Sequence, residues 1–149
     1  MSKKLLTKTP QETIQAAINF SKNLKAGDIV LLEGELGAGK TTFVKGLAQG
    51  LKAQVSKVNS PTFVLMNIYK SKIPIYHFDL YRLEKPQELE SLNIDEYLGA
   101  YGIVVIEWPK RMGHQMPKNA YYIEFKHQDE NTRQICISSP SKLPRKISR

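Results

Sequence analysis

The stretch VLLEGELGAGKTTF, from Val30 to Phe43, restricts the fold of this 149-residue chain more than any other stretch. A short apolar run ends abruptly in a loop that holds three glycines, a lysine and two threonines. Because glycine loses more conformational entropy on folding than any other residue, this loop indicates that something approaches its backbone closely. Apolar residues then return at helical spacing, at Val44, Leu47 and Leu51. The pattern predicts a buried strand, a glycine loop and an amphipathic helix in direct succession.

The loop matches G-x-x-x-x-G-K-[ST], the pattern of a phosphate-binding loop, at Gly34, Gly39, Lys40 and Thr41. Glycines allow successive backbone N–H groups to point at an anion, and the next helix adds its positive N-terminal end. In such loops the lysine reaches the β- and γ-phosphates, and the hydroxyl ligates Mg²⁺. A glycine turn that merely caps a helix is the alternative, but the strand before the loop and the helix after it favour phosphate binding. We therefore expect the loop to bind a nucleoside triphosphate.

Two carboxylates follow apolar strands farther along the chain: Asp79 ends IPIYHFD, and Glu107 ends IVVIE. The carboxyl ends of neighbouring parallel strands open onto one crevice, so both acids are expected beside the phosphate-binding loop. There a carboxylate can anchor magnesium, and another group can orient the attacking water. The alternative for each acid is an ordinary strand-end residue in solvent, but their shared placement favours the functional interpretation.

Other candidate residues have two interpretations each on the residues alone. Ser60 and Thr62 flank a proline in NSPTF, and their hydroxyls either sense the γ-phosphate and magnesium or only cap a turn. For Trp108 and His77, packing in the core is favoured over contact with a nucleotide or catalysis. Arg82 either approaches phosphate or pairs with a carboxylate.

The rest of the chain predicts an α/β fold of the P-loop NTPase type. A helix is expected from a cap at Thr9 to Gly27, and TFVLMNIYK and IPIYHFDLY read as a pair of strands. KPQELESLNIDEYL is helical with a break near Asn93, and NAYYIEFKHQ and TRQICIS read as a terminal antiparallel pair. Apolar strands interleaved with helices predict a mainly parallel sheet flanked by helices, with antiparallel edge strands near the C-terminus.

The composition indicates how many domains to expect and in which cellular compartment the protein works. A hydrophobic content of 41% fits a single domain, residues 1–139, followed by a basic tail, residues 140–149, that is expected to be mobile. The single cysteine, Cys136, excludes an internal disulfide, and no apolar run is long enough to span a membrane. No secretion signal is recognised, so a cytoplasmic location is expected. The net charge of +8 fits contact with RNA or with an acidic protein, or simply a basic surface.

Four segments, GELGAGKTTF, SPTF, HFDLYRL and IEW, resemble in this order the motifs of the TsaE family, formerly YjeE. The members are small bacterial ATPases needed to make threonylcarbamoyladenosine in tRNA, and the resemblance runs from Thr9 to Arg133. It implies a P-loop fold, ATP with Mg²⁺, and two partner proteins, TsaB and TsaD. In that family TsaD transfers the threonylcarbamoyl group to adenosine, the ATPase supports its turnover, and tRNA is reached through the complex.

Carried over by position, the resemblance implies roles for individual residues. Thr41 and Glu107 are implied to hold magnesium, Asp79 takes the Walker-B-like position, and Thr62 lies in a switch-like loop. Lys40 completes the implied catalytic set with Asp79, Glu107 and Thr62. The residues implied to contact the nucleotide are Gly37, Ala38, Gly39, Lys40, Thr41, Thr42 and Asp79 around the phosphates, and Thr9, Pro10, Thr132 and Arg133 near the base or ribose.

The chain departs from the family pattern at three positions. Glu35 stands where aspartate is common, which keeps the charge. Asn93 replaces a common glycine, which its tolerance of the left-handed conformation explains. Lys110 follows IEWP where the family often has an acid, so any contact made by that acid is absent here.

The expected function is that of a Mg²⁺-dependent ATPase that works with TsaB and TsaD. No arginine finger is evident in the nucleotide motifs, so hydrolysis is expected to be weak until a partner supplies the missing charge. A small P-loop kinase that phosphorylates a small acceptor is the alternative, although the chain has little room for a lid and an acceptor site. A nucleotide-gated RNA-binding module is a third reading that the basic tail allows, but no RNA-recognition motif is present. A GTPase is disfavoured because the sequence has no N-K-x-D motif.

Overall fold

The computed structural model describes residues 2–35, 37–58, 65–85 and 87–140, in which strands alternate with helices. The strands are β1 (Ser2–Thr7), β2 (Ile29–Gly34), β3 (Gln54–Val58), β4 (Leu65–Lys70), β5 (Ile75–Asp79), β6 (Ile103–Glu107), β7 (Tyr121–His127) and β8 (Arg133–Ser138). The helices are α1 (Pro10–Ser21), α2 (Lys40–Gly50), α3 (Gln87–Leu92) and α4 (Ile94–Leu98), with 3-10 turns over Pro109–Gln115. The predicted SPTF turn, with Ser60 and Thr62, and residues 141–149 of the predicted tail lie outside the described residues. Within the described ranges no helix is both long and apolar enough to cross a membrane.

The described strands form one sheet in the order β1-β8-β7-β2-β6-β5-β4-β3. The four central strands, β7, β2, β6 and β5, are parallel to one another. On one side β8 and β1 continue the sheet in antiparallel pairing, and on the other side β4 and β3 do the same. The parallel centre and the antiparallel pair near the C-terminus confirm the predicted fold class.

Two strands, β1 and β3, were not predicted from the sequence. Among the described strands, each lies at an edge of the sheet and pairs along one side only, β1 with β8 and β3 with β4. The sequence of β1, SKKLLT, contains the lysines that are typical of an edge strand, where charge opposes pairing with another chain. An edge strand with charged residues does not show the continuous apolar run by which the central strands are recognised.

Successive residues of β2 face opposite sides of the sheet, and each side carries its own hydrophobic core. Val30 and Leu32 belong to the core beneath α1 and α2, whereas Leu31 belongs to the core beneath α3, α4 and the 3-10 turns. All three side chains are buried. The strand is apolar throughout because both of its faces are covered, and each fully buried side chain of this size stabilises the fold by about 1.5–3 kcal/mol.

The close packing of α1 on α2 brings the start of α1 to the glycine loop. A Cβ atom at Gly46 would lie 2.6 Å from both the Cβ of Ala17 and the carbonyl oxygen of Ile14, so only glycine allows this approach. Thr9 caps α1 as predicted, and its hydroxyl accepts a hydrogen bond from the N–H of Glu12 at 3.0 Å. The capped end therefore lies within reach of anything bound at the loop.

Candidate functional site

The loop between β2 and α2 has a backbone that ordinary side chains would obstruct. Gly37 and Gly39 have φ angles of +79° and +108°, in the region that favours glycine. A Cβ atom at Gly34 would lie 2.7 Å from the carbonyl oxygen of Phe125 on β7. Gly39 is the N-cap of α2 and offers no side-chain cap, so the first N–H groups of this 11-residue helix are left for an anion. This geometry fits a phosphate-binding loop.

Lys40 begins α2 and folds back over the loop. The residue is 4% exposed, and its Nζ donates a hydrogen bond to the carbonyl oxygen of Gly34. The same Nζ lies 3.7 Å from the centroid of the Trp108 ring. Burial lowers the pKa of Lys40, and nearby carboxylates, Glu107 foremost, oppose this effect. A phosphate that enters the loop offers the ammonium group a charged partner in place of a neutral carbonyl.

Asp79 and Glu107 lie side by side at the carboxyl ends of β5 and β6, where their Cα atoms are register partners. Oδ1 of Asp79 accepts a hydrogen bond from the N–H of Tyr81 at 3.0 Å. Burial, and after it the charge of Glu107, raises the pKa of Asp79. The two predicted acids therefore meet at one edge of the sheet, close enough for one to disfavour ionisation of the other.

Two buried side chains continue from Glu107 into the sheet. Nε2 of His77 lies 2.7 Å from Oε2 of Glu107, and Nδ1 of His77 lies 3.4 Å from the hydroxyl of Tyr69. Burial, and after it the charge of Glu107, raises the pKa of the Tyr69 hydroxyl. His77 is buried as the sequence predicted, but no local pattern shows a partner that lies on another strand.

A cavity of about 210 Å³ lies over the glycine loop at the ends of β5 and β6, and we name it the strand-end cavity. It brings together most of the residues predicted to hold phosphate and magnesium. Ala38 is the exception: its side chain is fully buried, and its N–H donates a hydrogen bond to the carbonyl oxygen of Glu35 at 3.1 Å. The lining of the cavity consists of Gly37, Gly39, Lys40, Thr41, Thr42, Asp79, Tyr81, Glu107 and Trp108.

The strand-end cavity offers the oxygen donors that Mg²⁺ prefers. Thr41 and Glu107, the two predicted metal ligands, both line it, together with Asp79. Among the residues that the structure describes, no group of three or more His, Cys, Asp or Glu side chains could enclose a metal. The donor set fits Mg²⁺ nonetheless, because this ion usually keeps several waters and is held by one or two carboxylates plus substrate phosphates.

A second cavity of about 200 Å³ adjoins the same loop, and we name it the turn cavity. Thr9, Pro10 and Arg133, all predicted to lie near the base or ribose, line it together with glycines of the loop. Thr132 does not line it: this residue is buried, and its N–H donates a hydrogen bond to Oδ1 of Asp129 at 2.8 Å. The lining residues that were not predicted are Lys8, Thr13, Glu130 and Asn131.

Trp108 contributes more to the site than the packing role predicted for it. It is partly buried against the core beneath α3 and α4, as expected, but its ring also lines the strand-end cavity. Its φ angle of +62° turns the chain sharply at the end of β6, and the ring centroid lies 5.0 Å from that of Tyr81. The sequence signal for this role is its position directly after Glu107. Arg82, in contrast, is exposed and lines neither cavity.

A glycine loop between a buried strand and a helix, with acids at the ends of neighbouring parallel strands, defines a P-loop protein of the α/β class. The model of the family described as "Threonylcarbamoyl adenosine biosynthesis protein TsaE" matches residues 7–135. The chain belongs to the TsaE family, which confirms the resemblance seen in its motifs.

Individual relatives are similar over most of their length. The tRNA threonylcarbamoyladenosine biosynthesis protein TsaE of Nostoc sp. is 43% identical over 140 residues, which cover 91% of this chain and 85% of that protein. The protein of the same name in Bacillus subtilis is 40% identical over 134 residues, covering 89% and 83%. The crystal structure of Bacillus subtilis YdiB has a TM-score of 0.75 and 30% identity, covering 95% of this chain and 87% of that one. YdiB therefore has the same overall fold as this chain.

Proposed function

We propose that this protein is a Mg²⁺-dependent ATPase that acts with TsaB and TsaD in the formation of threonylcarbamoyladenosine in tRNA. The observation that carries the proposal is the strand-end cavity, where Lys40, Thr41, Asp79 and Glu107 surround a glycine loop. Membership of a family described by this biosynthesis supports the pathway. The two partners are proposed from the motifs that the sequence shares with that family.

ATP binding uses both cavities. Gly37, Gly39 and Thr42 line the strand-end cavity and the turn cavity alike, so one nucleotide can extend from one to the other along the loop. Its phosphates lie against the loop N–H groups, and Lys40 leaves the Gly34 carbonyl oxygen to contact them. The nucleoside end lies in the turn cavity, where Arg133 and the start of α1 contact the base or ribose.

Hydrolysis depends on the oxygen donors of the strand-end cavity. Thr41 and Glu107 would hold magnesium, which when bound neutralises charge on the phosphate oxygens. Asp79 orients the attacking water, and the N–H of Tyr81 fixes the direction of its carboxylate. A raised pKa makes Asp79 a better proton acceptor than an ordinary aspartate. Thr62, which lies outside the described residues, is proposed from the sequence to contact the γ-phosphate.

The chain alone is proposed to hydrolyse ATP slowly. In the described part of the chain, no arginine lines the strand-end cavity. An arginine finger accelerates hydrolysis by P-loop proteins about 10³–10⁵-fold, and a partner can supply it. Assembly with TsaB and TsaD is therefore proposed to complete the site, and tRNA is contacted through that complex.

Phosphate release from Mg·ATP tests the proposal, first with this protein alone and then with TsaB and TsaD added. We expect weak release alone and a clear rise with both partners. Lys40→Ala should abolish the rise, whereas Lys45→Ala, at an exposed position on the same helix, should keep it. Transfer of the γ-phosphate to a small acceptor, with no effect of the partners, would instead support a small P-loop kinase.

A further inference from the structure

Tyr69, His77 and Glu107 form a buried row on the adjacent strands β4, β5 and β6. The three residues are 6%, 5% and 3% exposed. Polar groups at this depth are costly to bury unless they satisfy one another. Of the three, only Glu107 lines the strand-end cavity. The row therefore connects the cavity to the interior of the sheet.

The contact between His77 and Glu107 has a donor and an acceptor that follow from the chemistry of the carboxylate. An ionised Glu107 can only accept, so Nε2 of His77 donates across the 2.7 Å contact. On the other side of the ring, Nδ1 lies 3.4 Å from the Tyr69 hydroxyl, which can act as donor or acceptor to suit the ring. The imidazole thus lies between two polar groups, and Oε2 of Glu107 accepts a hydrogen bond from it.

We propose that His77 is a positioning residue that orients Glu107 for magnesium, an inference that rests on the proposed function of the strand-end cavity. The hydrogen bond to Oε2 fixes the orientation of the Glu107 carboxylate and so directs its remaining lone pairs for the cation. His77 does not line the cavity, so it acts through Glu107. Groups that orient metal ligands in this way typically raise metal affinity about 10–100-fold.

A purely structural pair is the competing explanation. In that case His77 and Glu107 only satisfy each other, and removal of the imidazole lowers the stability of the fold without a specific effect on magnesium. Positioning, in contrast, changes the magnesium requirement and leaves magnesium-free nucleotide binding intact, because Lys40 and the loop N–H groups do not depend on His77.

Trp108 fluorescence measures magnesium binding without relying on hydrolysis. It is the only tryptophan of the chain, and its ring lines the cavity beside Lys40. The full chain with saturating ATP is titrated with MgCl₂, and ATP binding in EDTA is measured in parallel. The variants are His77→Leu, which removes the donor, His77→Gln, which keeps an N–H donor, and Tyr69→Phe, which removes only the hydroxyl.

His77→Leu is expected to raise the half-saturating magnesium concentration by about 10-fold or more, with unchanged ATP affinity in EDTA. His77→Gln should bind magnesium much more tightly than His77→Leu, because it keeps an N–H donor to Glu107. If the pair were only structural, the two variants should not differ in magnesium affinity. Tyr69→Phe should raise the half-saturating magnesium concentration by less than His77→Leu does. If His77→Leu does not fold, Tyr69→Phe tests whether His77 positions Glu107.

Two negative outcomes are distinguishable. If the wild type responds to magnesium and the folded variants respond equally, His77 does not position Glu107, and the proposed function stands. If the wild type binds ATP but does not respond to magnesium, the proposed function itself is overturned, and the inference falls with it.

Discussion

The strand-end cavity and the turn cavity lie on the same loop but are built differently. The strand-end cavity uses the ends of central parallel strands, and its Lys40 and Glu107 are almost fully buried. The turn cavity uses the start of α1 and the turn after β7, where Lys8 and Glu130 are exposed. Buried side chains at the ends of strands and at the start of a helix keep a fixed geometry, whereas turn residues adapt to what binds. We therefore propose that the chemistry takes place in the strand-end cavity and that the nucleoside is recognised in the turn cavity.

The largest effect is expected from Lys40→Ala in the strand-end cavity. Loss of the ammonium group removes charge-assisted hydrogen bonds to phosphate, so ATP affinity should fall by about 100-fold or more. Isothermal titration calorimetry with ATP measures this change. Lys45→Ala is the matched control and should bind ATP as the wild type does. Near-normal affinity of a folded Lys40→Ala variant would remove Lys40 from the phosphate site.

Asp79→Asn and Glu107→Gln are expected to separate hydrolysis from binding. Each keeps the shape of the side chain and removes its charge, so ATP binding should be largely spared while kcat falls by about 100-fold. Turnover is measured with TsaB and TsaD present. The control is Asp95→Asn, which changes an exposed acid on α4. Full turnover by either site variant would show that its assigned role is wrong.

Arg133→Ala tests the turn cavity and should have a smaller effect. We expect ATP affinity to fall by about tenfold or less, with kcat unchanged at saturating ATP, because this contact is equal in the ground and transition states. Steady-state kinetics over a range of ATP concentrations separate KM from kcat. Arg82→Ala, at an exposed position that lines neither cavity, is the control. A fall in kcat equal to that of Asp79→Asn would contradict the proposal that the turn cavity only binds the nucleoside.

The smallest expected effect is a gain in stability from Asp79→Asn. Burial raises the pKa of Asp79, so its charged form opposes folding at neutral pH. Without nucleotide, the variant should melt about 2–4 °C above the wild type at pH 7, as measured by calorimetry. Asp95→Asn should leave Tm unchanged.

The pH dependence of this difference has a definite sign. The folded state holds the proton of Asp79 more tightly than the unfolded state, so wild-type stability improves as pH falls through the raised pKa. The amount by which the Tm of Asp79→Asn exceeds that of the wild type should therefore shrink as the pH falls towards 3.8, the ordinary pKa of an aspartate. An advantage that grows on acidification would contradict the raised pKa.

Features encoded in consecutive residues were predictable from the sequence. The glycine loop, the cap at Thr9, the left-handed Asn93 and the apolar central strands each follow from local geometry or from burial on both faces. The acids at the strand ends were also predictable, because parallel strands align their carboxyl ends. The fold class was confirmed for these reasons.

Features that depend on contacts between distant residues were not predictable. The bond from His77 to Glu107 joins residues 30 positions apart, and the Trp108 ring reaches Lys40 only because β6 lies beside β2. Arg133 lines the turn cavity and Thr132 beside it does not, because adjacent residues at the start of a strand point in different directions. The edge strands were missed because their charged residues hide the strand pattern.

The close fit of Gly46 against α1 has a consequence for how sequence variation in this protein should be interpreted. In a library of random substitutions, we expect this position to retain glycine as strictly as the loop glycines do. Its neighbours are the helix backbone at Ile14 and the small side chain of Ala17, which cannot move aside. Gly46 lines neither cavity on the loop. Intolerance to mutation here would report steric exclusion between two helices, and a map of invariant positions would overstate the extent of the nucleotide site.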